Sequence, residues 1–436
     1  MSAPSLMLIG AKDETVDKAV ALGLEVVLLQ HPAKVTPRQK EVVTACHIVD
    51  YTDWAEVRPL IESIAGRRRI GSVLSLTEAG VENAGRANDL LGLGGTGYVV
   101  ARRFRDKAEM RSHLERTGFD TVAHAHLGTR ADLEHFASRN GFPFVVKPVD
   151  ATAGVGVMVV AGDHDLGHVW EKVRALKGSR TNRGSTLYTL SRFVMESYLE
   201  GPEFSVETMS YQGRHVVLAI TEKYLAAPGT AEVGHAVPAR VPRDVQDEIK
   251  RYVRSLLSVM GLRDGPGHTE VRLGPTGPRV IEAHNRPGGG AIPSLVRAVT
   301  GVDQAGAALA APFMITQPLP GDPPATGGAA SRFLASDGGV LRSIEGFEPL
   351  RACPEVLVAA PLLAAGQCVG ALRDNWDRVG MVAVKSADPG SALALGEELL
   401  DEHVRVELTS SAQGTHRAYV VPLSGANRPN LMEVAQ

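Results

Sequence analysis

"GHTEVRLGPTGPRVIEAHNRPGGG", residues 267–290, decides how the rest of the chain is read. Two apolar runs flank a Gly/Pro turn, so the stretch predicts a β-hairpin. With "GPTGP" as a five-residue loop centred on Thr276, Glu270 falls opposite Glu282 and His268 opposite His284. Side chains alternate along a strand, so all four project from one face. Directly opposed carboxylates destabilise a sheet, and a cation is expected between them. Magnesium suits the pair, because it takes oxygen ligands and links carboxylates to phosphates. Alone, the pair also reads as two solvated acids on an exposed face. The apolar setting of Glu282 and the glycines behind it argue for an enclosed one.

Upstream, "VVKPVDATAGVGVMVV", residues 145–160, reads as strand, small-residue loop, strand, with Lys147 at the end of the first strand. Small residues let backbone N–H groups approach an anion, and a lysine adds a point charge for phosphate. No GxxxxGK[ST] is present, so the loop is not a Walker A loop. Residues 1 to about 105 alternate short apolar runs ("SLMLIG", "LEVVLLQ", "ACHIVD", "IGSVLSLT") with helical patterns, which predicts an α/β unit with a parallel sheet. Only Gly10 marks the first turn and no GxGxxG follows, so a dinucleotide-dependent oxidoreductase lacks its fingerprint. "RFRDKAEMRSHLERTGF" (103–119) predicts one polar amphipathic helix. "PRDVQDEIKRYVRSLLSVMGL" (242–262) predicts another, capped by Asp244 and ended by Gly261. "TQPLPGDPPATGG", residues 316–328, is a linker, and a smaller unit follows it.

The totals agree with a globular protein of several domains. The chain has 436 residues, 44% of them hydrophobic and 22% charged, and a net charge of -3 without a long basic run. That balance argues against nucleic-acid partners. Three cysteines, Cys46, Cys353 and Cys368, lack metal-type spacing and are expected as reduced, buried thiols of a cytoplasmic protein. The N-terminal apolar run reads as a first strand and not a signal peptide. The most apolar long stretch contains Pro354, Glu355, Pro361 and Gln367 and fails as a membrane span.

In this order the motifs resemble the ATP-grasp superfamily of carboxylate–amine ligases, most closely the L-amino-acid ligases that make dipeptides. The resemblance covers nearly the whole chain. It implies an α/β fold, α+β in parts: a Rossmann-like parallel-sheet domain (1–105), an ATP-grasp lid subdomain (106–190), a large subdomain with the metal hairpin (191–318), a small C-terminal domain (329–410) and a tail (411–436). It implies ATP and Mg2+ as cofactors, with Mn2+ as a substitute. Lys107, Lys147 and Lys223 would meet phosphate, under a loop carrying Thr152, Gly154 and Gly156. Glu196, Ser197 and Leu199 in "MESYLEGPEFSVE" would hold adenine, and Glu203 the ribose. Glu270 and Glu282 would be metal ligands. Arg286 would hold the substrate carboxylate and its acyl phosphate, with Gly288 and Gly289 bringing bare backbone close. Glu232 and His235, in a loop over the substrate, would orient the amine or take its proton. Glu78 either anchors a substrate ammonium or caps the helix after it.

The family's Glu-x-Asn pattern is broken here. His284 stands at the third position and Asn285 one residue later. Either Asn285 reaches in through a bulge, or His284 backs the site, or water completes it. The expected reaction joins a carboxylate and an amine, both small molecules and amino-acid-like, with release of ADP and phosphate. A homodimer and the absence of membrane or nucleic-acid partners are expected with it. Two other readings fit the motifs: amidation or carboxylation in nucleotide metabolism, and an inactive ATP-binding scaffold.

Overall fold

The computed structural model describes residues 5–119, 122–181, 187–226, 229–411 and 414–423. The N-terminal strands β1 (Ser5–Ile9), β2 (Val26–Gln30), β3 (Ala45–Ile48) and β4 (Ile70–Leu74) form a parallel sheet in the order β3-β2-β1-β4. β1 and β2 are buried along their whole length, as in a sheet covered on both faces.

A second, antiparallel sheet has the order β5-β8-β6-β7, from β5 (His124–Leu127), β6 (Phe144–Pro148), β7 (Met158–Val160) and β8 (Phe193–Ser197). Two helices pack on it through Leu133, Phe136, Leu166, Val169 and Val173. The large sheet begins with β9 (Glu203–Tyr211), β10 (Arg214–Leu225), β11 (Glu232–Val237), β12 (Gly265–Gly274) and β13 (Gly277–His284), ordered β13-β12-β9-β10-β11. Helix Arg243–Met260 lies against it. Ile249, Val253, Leu256, Leu257 and Met260 recur at helical spacing and pack on Phe204, Val206, Val271 and Val280. Each such buried side chain contributes roughly 2 kcal/mol.

The structure corrects four local expectations. First, residues 103–119 do not form one helix: Tyr98–Arg105 stops and Lys107–Arg116 starts afresh, because the Asp106 side chain caps the second helix at the Ala108 and Glu109 amides. Lys107 therefore opens a helix. Second, Asp244 does not cap helix Arg243–Met260. Pro242 precedes the helix, and Asp244 sits in its first turn, where an acid favours the helix dipole; Gly261, at φ +85°, does end it. Third, the large sheet does not end at the linker but runs on into the C-terminal unit. β14 (Gly328–Ala335) pairs with β11, and Gly380–Ser386 and Val356–Pro361 extend the same sheet. The linker itself is tied down, since Asp322 takes Arg254 through two oxygens at 2.6 Å and accepts from the Val217 amide. Fourth, the cysteines are not fully buried: Cys46 and Cys353 are half-buried and Cys368 is exposed.

Among the described residues no helix is long and apolar enough to cross a membrane.

Candidate active site

The hairpin pairs Glu270 with Glu282 and His268 with His284, though by another route than the five-residue loop. Gly274 pairs with Gly277 across a two-residue turn, which would place Glu270 opposite Ile281. A bulge at Ile281 then shifts the ladder by one and brings Glu282 into place. The bulge also turns carbonyls inward. Arg111 donates to the Val280 carbonyl at 2.8 Å, and Lys147 lies 3.5 Å from that of Ile281.

Between the β5–β8 sheet and the large sheet opens a cleft. Lys107, Lys147, Thr152, Gly154, Glu196, Ser197, Leu199, Glu203, Lys223, Glu232, Glu270 and Glu282 all line it. Its lid side is apolar, through Val145, Val157, Val159 and Leu199, with Ile281 opposite. The loop over it takes left-handed backbone at Ala153, Gly154 and Gly156. A Cβ on Gly156 would approach Pro148 Cγ to 2.9 Å, so glycine is needed there. This loop is held from the far end of the chain: the Asn375 amide donates to the Ala153 carbonyl at 3.1 Å.

The charges in the cleft are paired in sets. Glu196 takes Arg111 at 2.8 Å and Lys147 at 2.9 Å on one oxygen. Burial works against its ionisation, but the two cations hold its pKa down at about 2. The same triad leaves Lys147 in cationic surplus. Its pKa is lowered by burial and by Arg111 and Lys107, which Glu196 only partly offsets. Lys107 lies 2.6 Å from Glu282 and donates to the Ala151 carbonyl. Lys223 meets three carboxylates, Glu203, Glu232 and Glu270, each at 2.8 Å. Burial disfavours its charge, yet the three acids raise its pKa well above the ordinary value.

Behind the cleft lie the remaining predicted residues. His235 is fully buried; its Nε2 is 3.1 Å from Glu232 and its Nδ1 is 2.9 Å from the Ser331 hydroxyl. Glu78 neither caps a helix nor stands open for an ammonium. Its carboxylate bonds Arg286 and lies 3.2 Å from His284 and 3.6 Å from Arg105. Against the pull of burial, Arg286, His284 and Arg105 keep it well below the carboxylate range. His284, not Asn285, is on the side of the acids, with Nε2 3.2 Å from Glu282. Asn285 lines a different cavity, beside Ser75, Leu76 and Gly265. The glycines of "RPGGG" differ among themselves. A Cβ on Gly288 would come within 2.8 Å of His268, and one on Gly290 within 2.8 Å of His235, whereas Gly289 is open. Gly288 and Gly290 thus make room for histidines.

Sequence reasoning missed several residues here. Arg111 is four residues after Lys107, on the same helix face, and periodicity could have found it. Arg272 follows Glu270 by two in β12, so alternation could have found it as well; it donates to the Leu199 carbonyl at 2.7 Å and bonds Glu203 at 3.3 Å. Asn375 and Arg378 carry no local signal. Asn375 accepts from the Glu232 amide at 2.7 Å, and Arg378 stacks over Phe333 3.9 Å from the ring centre.

Among the described residues no group of three or more His, Cys, Asp or Glu forms a metal cage. The acids still fit a divalent cation. Glu270 and Glu282 stand opposite each other at the cleft and offer hard oxygens.

Known proteins match the chain in three segments. Residues 16–95 match the ATP-grasp N-terminal domain, 140–294 the ATP-grasp domain, and 332–409 the L-amino acid ligase C-terminal domain 2. The alanine–anticapsin ligase of Bacillus subtilis is 23% identical over 229 residues, 50% of this chain and 48% of the relative. The L-arginine-specific L-amino acid ligase of the same organism is 23% identical over 250 residues, 57% and 59% of the two chains. The chain thus spans about half the length of the curated relatives it matches. An L-amino acid ligase structure from Bacillus licheniformis superposes with a TM-score of 0.78 at 23% identity, covering 94% of this chain and 100% of that one.

Proposed function

Because the chain belongs to the ATP-grasp ligase family and is most like its L-amino acid ligases, we propose that it joins the carboxylate of one amino acid or similar acid to the amine of another, with ATP as the co-substrate. The observation that carries the reading is the opposed pair Glu270 and Glu282, set on the floor of a cleft whose lid supplies Lys147 in cationic surplus.

In this reading the substrate carboxylate attacks the γ-phosphorus of ATP and ADP leaves. The amine, after its ammonium has lost a proton to solvent, then attacks the carbonyl of the acyl phosphate; phosphate leaves with the bonding pair and takes up the second N–H proton. Phosphoryl transfer depends on positioning and charge neutralisation. Lys107 and Lys147 would meet phosphate oxygens below the loop at Thr152 and Gly154. Glu196, Ser197, Leu199 and Glu203 would bind the nucleoside. Glu270 and Glu282 would hold magnesium, which neutralises charge on the transferred group; Mn2+ suits the same oxygens. Arg286, oriented by Glu78, would hold the carboxylate. Glu232 is held ionised well below the carboxylate range, against burial, by Lys223 and His235. That suits it to bind the incoming ammonium more than to take its proton. The apolar lid and the Ala153–Asn375 contact would keep water from the acyl phosphate.

Phosphate release from ATP across a matrix of amino-acid pairs, with products identified by mass, tests the proposal. ATP turnover only when a carboxylate and an amine are both present is the expected result. Tight ATP binding without turnover on any pair would favour a scaffold instead. Glu282→Gln is expected to reduce turnover at least a hundredfold with the fold intact, as loss of a phosphate-clamping charge demands; unchanged turnover sinks the metal assignment.

A further inference from the structure

Resting on the reading of Glu270 and Glu282 as metal ligands, we propose that His268, oriented by Glu207, is a positioning residue that restricts Glu270 to one metal-facing oxygen, Oε2. The two residues belong to a row across the large sheet: Glu207 of β9 is paired with His268 of β12, which is paired with His284 of β13. The next row on that face is Ser205, Glu270 and Glu282.

His268 Nδ1 lies 2.8 Å from Glu207 Oε1, and Nε2 lies 3.2 Å from Glu270 Oε1. Each ring nitrogen thus lies within hydrogen-bond reach of a carboxylate oxygen. Glu207 is 0% exposed and its Oε1 also accepts from the Ser205 hydroxyl at 2.9 Å. A carboxylate and an imidazole buried on a sheet face cost more than two apolar side chains would. Their geometry has a direction that packing alone does not call for. His268 and Lys223 both meet Oε1 of Glu270, and among the described residues none donates to Oε2. Gly288 packs against the relay from above, since a Cβ there would lie 2.8 Å from His268 Nδ1 and 3.4 Å from Glu207. His284 lies beside this set, 3.2 Å from Glu282 at Nε2 and 3.2 Å from Glu78 at Nδ1 but without a hydrogen bond at Nδ1, and the two imidazoles stack at 5.9 Å between centres. Glu270 is thus backed by a histidine that a second, buried glutamate orients, the arrangement by which outer groups fix metal ligands.

The test measures Mn2+ binding by electron paramagnetic resonance, with ADP present, and metal-free ADP binding by calorimetry. His268→Leu is expected to weaken Mn2+ binding about tenfold, the usual scale for an outer partner, with metal-free ADP affinity unchanged. His268→Gln, which keeps an N–H donor for Glu270, is expected to recover most of the loss. A merely structural pair would lower thermal stability in His268→Leu without moving Mn2+ affinity, and that result overturns the proposal. If His268→Leu fails to fold, the isosteric Glu207→Gln decides: a several-fold loss of Mn2+ affinity supports the role and wild-type affinity overturns it. Glu282→Gln separates the two levels. If it binds Mn2+ like the wild type, the metal reading itself fails; if it loses Mn2+ while the His268 and Glu207 variants keep it, only the positioning role fails.

Discussion

Glu196 serves two cations through one oxygen, and this asymmetry governs its surroundings. Arg111 and Lys147 both depend on its charge, and neither is exposed. Its pKa in the folded chain, about 2, lies below the ordinary 4.5. A carboxylate with a depressed folded pKa adds stability that is present above its unfolded pKa and is lost as pH falls through the folded one. Glu196→Gln is therefore expected to lower stability near pH 7 by on the order of 3 kcal/mol. The gap to the wild type should narrow between about pH 5 and pH 2. Denaturant titrations of both chains at several pH values check this. A gap that stays constant on acidification would mean the loss comes from packing and not from charge.

The β13 strand owes its function to an irregularity. A regular ladder continued from Gly274 and Gly277 would set Glu270 against Ile281; the bulge sets it against Glu282 and leaves Ile281 on the cleft wall. Deleting Ile281 joins Val280 to Glu282 and straightens the strand, with the two acids still opposed. The expected outcome is a folded protein whose ATP affinity falls about tenfold, the scale of one lost apolar contact. Isothermal titration with a non-hydrolysable ATP analogue reads this, and unchanged affinity would show that the bulge is only a turn accommodation. In the same element class, the break at Asp106 sets Lys107 at the start of a helix, from which its ammonium reaches both Glu282 and the Ala151 carbonyl.

At the scale of the whole molecule, the N-terminal sheet is joined to the hairpin by one buried carboxylate. Glu78, carried on the turn after β4, meets Arg105, His284 and Arg286. Removing it leaves cations buried without a counter-charge, a change that costs about 3–5 kcal/mol in comparable buried sets. Glu78→Ala is expected to split the N-terminal sheet from the rest in calorimetry, as a separate, earlier transition, and to abolish the proposed ligation by displacing Arg286. One unchanged transition would mean that the interface holds without it. The C-terminal segment acts over a similar distance, because Ser331, Asn375 and Arg378 support His235, Glu232 and the loop at Ala153.

Local chemistry determined a good part of this protein from the sequence alone. Period-two and period-3.6 patterns marked the strands and the long helix, small residues marked the loop after β6, and opposed acids across a Gly/Pro turn marked the pairing of Glu270 with Glu282. Short-range rules suffice there, because backbone geometry couples residues only a few positions apart. The same rules could not count the turn correctly: a two-residue turn and a one-residue bulge cancel, so the pairing came out as expected through a wrong loop. What only the tertiary structure decided is which charges meet. Lys223 with three acids, Glu78 with two arginines and a histidine, and Asn375 on the loop at Ala153 join residues that lie far apart in the chain. Those contacts are selected by the cost of leaving a charge buried and unpaired. That cost depends on what the fold encloses and is not encoded in any one stretch of the chain.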